Sequence, residues 1–129
     1  MNYDELEKSG RDLDALVAER VMGWVCPDQY NYWMTIHPGG TFDLHQLKAT
    51  WSPSTDIAAA MLIIDKLRAD GWHFSCDDFG GEPWWAEFAN EDNTIGGQAT
   101  GEKLELVICR AALNFVADIA RVKAVATKE

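Results

Sequence analysis

The sequence predicts an α+β fold in which a small antiparallel sheet packs between helices, an α-β-α layered sandwich. Three observations carry that expectation. Three segments repeat apolar residues at three- and four-residue spacing, as helices with a buried side do. The runs between them alternate apolar with polar residues, as half-buried strands do. Two of those runs are joined by a loop containing Gly80-Gly81, which makes an antiparallel hairpin. With 129 residues, 47% of them hydrophobic, the chain can bury a core without staples, and no linker or internal repeat divides it. Residues 1–129 therefore read as one domain.

The first helix covers RDLDALVAERVM at 11–22, its start left open on either side of Gly10. Leu13, Leu16, Val17 and Val21 share a side, and Gly23 stops the helix. NYWMTIH at 31–37 is a strand with Tyr32, Met34 and Ile36 toward the core and Trp33 on the opposite face. PGGT at 38–41 is a turn. FDLHQLKAT at 42–50 fits either a short helix or an extended connection. The second helix opens at WSPSTD, where Ser54 or Thr55 caps it and Asp56 complements the dipole in the first turn. Ile57, Ala60, Met61, Ile64 and Leu67 form its core stripe. Ala58, Ala59, Leu62 and Ile63 widen that stripe beyond one face, so the helix should be covered on more than one side, by a sheet and by another helix or subunit. WHFSCD and WWAEFAN form the hairpin around Gly80-Gly81, and EDNTIGGQATG is a loop with room for a short strand at 95–99. Leu104, Val107, Ile108, Ala111, Ala112, Phe115, Ile119 and Val122 mark the third helix, followed by a frayed tail at 123–129.

Charge and cysteine usage narrow the function classes. Eleven basic against 21 acidic residues give a net charge of −10, which opposes general nucleic-acid binding and anionic membranes. No apolar run is long enough to span a bilayer, and the acidic N-terminus is unlike a signal peptide, so a cytoplasmic location is expected. Cys26, Cys76 and Cys109 are an odd, widely spaced set that reads as reduced, buried thiols; with no CxxC pair, neither a metal nor a cofactor is expected.

A complete catalytic constellation is not found. His37, His45 and His73 lack a neighbouring nucleophile signature, and Asp77-Asp78 sits beside a glycine turn where acidic residues are common. The Gly-Gly pairs form neither a dinucleotide fingerprint nor a Walker loop. Whether the chain is an enzyme stays open, with binding the stronger expectation. Six tryptophans suit binding: Trp33, Trp51 and Trp85 lie beside turns or away from the expected core, whereas Trp24 and Trp72 follow helix-ending glycines and read as core rings. The cluster from Trp51 to Asp56 has two readings. Either Ser54, Thr55 and Asp56 cap a buried helix under Trp51, or the same helix start offers N–H groups and hydroxyls to a phosphate while Trp51 stacks on a base. Arg68 and Arg110 would supply positive charge to the second arrangement.

LDALVAERVMGW at 13–24, STDIAAA at 54–60 followed by KLRADGW at 66–72, and ICRAAL at 108–113 resemble, in order, three signature blocks of the phage ABA sandwich domain family. These are small proteins encoded by bacteriophages and prophages. The resemblance spans Leu13 to Leu113 and implies helix layers around a β-sheet, in a protein of the infected bacterial host's cytoplasm. Met61 departs from the pattern, standing where an aromatic often follows the alanines, and the polar loop before the last helix is longer.

Three functions then compete. The first is a non-catalytic phage protein that sequesters a small nucleotide signal of bacterial immunity, a cyclic ADP-ribose isomer or a cyclic dinucleotide. Its ligand would contact Trp51, Ser54, Thr55, Asp56, Arg68, Arg110, Trp33 and Trp85, in a homo-oligomer whose subunits enclose it. The second is an acidic inhibitor that mimics nucleic acid and occupies a host nuclease or DNA-binding protein. The third is an accessory nucleotide hydrolase.

Overall fold

The computed structural model describes residues 11–127 apart from 79 and 82, so a helix start before Gly10 lies outside the described residues. The chain runs through α1 (Arg11–Leu16), β1 (Tyr32–Ile36), β2 (Phe42–Leu47), α2 (Ile57–Ala69), β3 (His73–Asp77), β4 (Trp84–Ala89), β5 (Gly96–Gly101) and α3 (Leu104–Thr127). The α+β class with antiparallel strands is as expected, but the strands form two sheets, β1-β2 and β3-β4-β5. No helix among the described residues is long and apolar enough to cross a membrane.

α1 passes directly into a π-helical segment, Val17–Val21, closed by the Met22 N–H on the Val17 carbonyl at 3.1 Å. Leu13, Val17 and Val21 are buried as their spacing predicts, Leu16 is only half-buried, and Ala18 and Asp14 are buried among them. Gly23, at φ 74°, ends the helix in a conformation that costs other residues energy.

The segment whose structure the sequence left open is β2, which pairs with β1 across the turn at Gly39 and Gly40. Tyr32 faces Leu47, Met34 faces Leu44 and Ile36 faces Phe42, while His45 is an extra residue in β2 opposite the Trp33/Met34 step. The expected orientation of this strand is reversed. Trp33 points into the molecule and is only 2% exposed, whereas Tyr32 and Ile36 face solvent. Alternation reports a period, not a direction, and each side of this strand carries a large apolar residue. The indole offers the largest apolar area and takes the inner side. Met34, on the outer side, is buried beside Val25, with which it exchanges two backbone hydrogen bonds of 2.8 Å.

α2 is capped by Asp56 and not by Ser54 or Thr55: the Asp56 backbone is extended, and its carboxylate accepts the Ala58 N–H at 3.0 Å. The buried stripe is Ala60, Ile63, Ile64 and Leu67, turned toward α3 and β3; Ile57 and Met61, expected inside, are exposed. α3 lies on β4 and β5 and fills the core with Val107, Ile108, Ala111, Ala112 and Phe115. A Cβ at Gly97 in β5 would stand 2.0 Å from the Phe115 backbone nitrogen, so strand and helix approach as closely as only glycine permits. Ala86 and Phe88 of β4 are buried, but Cys76, expected to be a buried thiol, is exposed, because β3 is an edge strand and only its Phe74 is half covered. α3 continues helical to Thr127, into the stretch that the sequence marks as a loose tail.

Candidate functional site

The sequence places a carboxylate, Asp14, on the apolar side of α1, three residues before Val17 and seven before Val21. Folding brings it against the loop that precedes α2. The Asp14 carboxylate accepts the Ser54 N–H at 2.8 Å, and the Asp14 backbone carbonyl accepts the Trp51 indole N–H at 3.0 Å. One residue of α1 therefore fastens the loop at two points. Burial pushes the Asp14 carboxyl above the usual range, although hydrogen bonds from the backbone and side chain of Ser54 pull the other way.

The Trp51 ring, 4% exposed, meets the Trp24 ring edge-on with centroids 4.8 Å apart, and Trp24 is stacked on its other side by His45 at 4.9 Å. His45 is steered by the Thr35 hydroxyl at 2.6 Å. At the end of the hairpin the Lys48 N–H donates to the Asn31 carbonyl at 2.7 Å, which sets both residues beside Trp33. The Lys48 ammonium stands 5.6 Å from the centre of the Trp33 ring, a cation–π contact.

These groups surround a cavity of about 350 Å³, lined by Asp14, Ala15, Asn31, Trp33, Leu47, Lys48, Ala49 and Trp51. Two indoles offer apolar and π surface, Asn31 an amide with donors and an acceptor, and Lys48 a positive charge. The Asp14 carboxylate already serves Ser54. Such a lining suits a planar ring that carries one or more anionic groups.

Of the residues expected to bind ligand, the structure brings two, Trp33 and Trp51, to this cavity. Ser54 is buried against Asp14, Thr55 donates to the Ser52 carbonyl at 3.4 Å, and Asp56 occupies the start of α2 as its cap. Arg68 lies in the last turn of α2, away from that start. Arg110 is buried within α3, and the Trp85 indole donates to Gln98 Oε1 at 3.0 Å in the three-stranded sheet. None of these six lines the cavity. Asn31 and Lys48 carry no local signature and become neighbours only once the hairpin forms. Asp14 does have one, an acid in the middle of an apolar helical stripe. Cys109, buried in α3, is pushed far above the ordinary thiol range by burial and then by the Asp14 and Glu105 charges, which suppresses its thiolate.

The phage ABA sandwich domain model matches residues 15–113. Among solved structures, a phage protein from Bacillus cereus ATCC 14579 is similar over 85% of this chain and 86% of that chain, with a TM-score of 0.54 and 18% identity. At that identity the likeness bears on the fold alone. No curated protein sequence matches the chain significantly.

Proposed function

From the premise that the chain belongs to the phage ABA sandwich domain family, we propose that it is a phage protein that binds and holds a small nucleotide signal of bacterial immunity without converting it. The observation that carries this reading is the cavity in which Trp33, Trp51, Asn31 and Lys48 converge. A nucleobase would lie against the indoles, an amide would read its edge or the sugar hydroxyls, and the ammonium would meet a phosphate. At about 350 Å³ the cavity is at the small end of the roughly 300–1,000 Å³ usual for ligand sites. That size favours a ligand with one base, such as the cyclic ADP-ribose type, over a cyclic dinucleotide. The groups of the lining are suited to holding a ligand, and Asp14, the one carboxylate among the described lining residues, is engaged by Ser54. An acidic decoy would gather its carboxylates on one surface, whereas exposed acids here are spread over Asp28, Asp43, Asp65, Asp77 and Glu102.

The test is to incubate the purified protein with a panel of ADP-ribose derivatives and cyclic nucleotides, remove unbound material, denature by heat and identify the released compound by mass spectrometry. Release of one unaltered compound is the expected result. Lys48 is exposed, so Lys48→Glu should leave the fold intact and weaken binding of that compound by roughly 10- to 100-fold, a loss of about 1.5–3 kcal/mol for a charge-assisted contact. Retention of nothing from the panel, or equal affinity in the variant, would remove the nucleotide reading from this cavity; release of an altered compound would make the protein an enzyme.

A further inference from the structure

The outer face of the β1-β2 hairpin is patterned like a core. Tyr32 and Ile36 of β1 lie beside Leu47 and Phe42 of β2, and Leu44 sits over the buried Met34. The Tyr30 ring extends the row, 6.1 Å from that of Phe42. Each of Tyr30, Tyr32, Ile36, Phe42, Leu44 and Leu47 is 38–54% exposed. If a large apolar side chain contributes roughly 150–200 Å² in full, this row leaves about 400–500 Å² of contiguous apolar surface uncovered. That places it among the largest patches that monomers carry, roughly 300–600 Å², which are often functional.

We propose that a second copy of this chain covers the outer face of the hairpin, the two copies packing face to face about a two-fold axis. Three observations favour a second copy. First, two such faces together would remove on the order of 900 Å² of apolar surface, and with their polar rims they reach the roughly 1,200 Å² at which specific interfaces begin. Second, the charges of the hairpin avoid this face. Asp43 pairs with Thr35 on the other side and reaches His37 at 2.8 Å, so two like faces meet without opposing carboxylates despite the net charge of −10. Pairing the open edges of two β2 strands would lack this advantage. The backbone groups of Phe42 and Leu44 point to that edge, since Met34 spends its own on Val25, and joining Phe42 to the partner's Leu44 would set the two Asp43 residues opposite each other. Third, Leu47 belongs both to the apolar row and to the cavity lining. A copy seated on the row would thus lie against one residue of the cavity wall, which joins the two features.

The experiment is sedimentation equilibrium across a protein concentration series on the full chain, with Leu44→Arg and Phe42→Glu on the hairpin and Met61→Glu on the exposed side of α2. All three positions are exposed, and circular dichroism checks that each variant is folded. A wild-type dimer, monomeric hairpin variants and a dimeric Met61→Glu variant are the expected results. A wild-type monomer at about 100 μM overturns the proposal and leaves the face to a different protein. A dimer that survives both hairpin substitutions, or that Met61→Glu dissociates, overturns it as well. None of these outcomes depends on which ligand the cavity holds, so this inference and the nucleotide reading fail separately.

Discussion

Asp14 is held in an environment that opposes its charge, yet both its carboxylate and its carbonyl are in use. Replacing it separates the two effects. Asp14→Ala leaves the buried Ser54 N–H without its acceptor and should lower unfolding free energy by about 1–3 kcal/mol. Asp14→Asn keeps an acceptor and removes the charge. Because burial raises the Asp14 pKa in the folded protein, the cost of that charge is present above the folded value and absent below the unfolded one, near 3.8. The asparagine variant should therefore match or exceed wild type in urea at pH 7, and any advantage should close by pH 3.5. An advantage that persists at pH 3.5 would mean that charge is not its source. Asp118 responds in the opposite sense. The Gly96 N–H at 3.0 Å and then Arg121 hold its carboxyl below the usual range, so its contribution is full above the unfolded pKa and is lost as pH falls through the folded one. Gly97 is the least replaceable of these positions. Gly97→Ala drives a methyl into the backbone of α3 and should cost at least 1–3 kcal/mol, read as a lower urea midpoint, or prevent folding.

At the scale of elements, the entry to α2 was legible in the sequence as a capped helix start, but the capping residue was misplaced by one or two positions. WSPSTD contains four residues of types that cap helices, and only tertiary contacts decide among them: Asp14 takes Ser54 into the interior and leaves Asp56 to the helix. Asp56→Ala should destabilise by about 0.5–2 kcal/mol, while Thr55→Ala should change thermal stability little. Equal effects would place the cap elsewhere. α1, α2, α3 and the hairpin of β3 and β4 were readable because their periodicity is long or is bounded by glycines. β2 was not, because FDLHQL owes its extended shape to pairing with β1 and buries little of its own. The candidate cavity was half legible. Its indoles stand out in any composition, whereas Asn31 and Lys48 meet through a backbone hydrogen bond between strand ends that no local pattern announces.

At the scale of the whole molecule, ligand and stability are linked. A compound that binds only the folded state at 100 times its Kd adds about 2.7 kcal/mol, which for a domain of this size raises Tm by roughly 10 °C. Calorimetry with the compound identified by mass spectrometry should show that rise for wild type and a much smaller one for Lys48→Glu. The π-helical segment that follows α1 bears on the same linkage in another way. A π segment is a helix carrying one residue more than its turns require, and one residue of an ordinary helix corresponds to about 100° of rotation. Deleting a single residue from 17–21 would restore the ordinary pitch without changing the number of turns, so the residues before it would keep their side of the helix, whereas a deletion in an ordinary helical stretch would swing them by that angle. Asp14 should then still meet the loop it fastens. The surplus residue is thus absorbed within its own turn, and the side of the first helix that the rest of the protein sees does not depend on it.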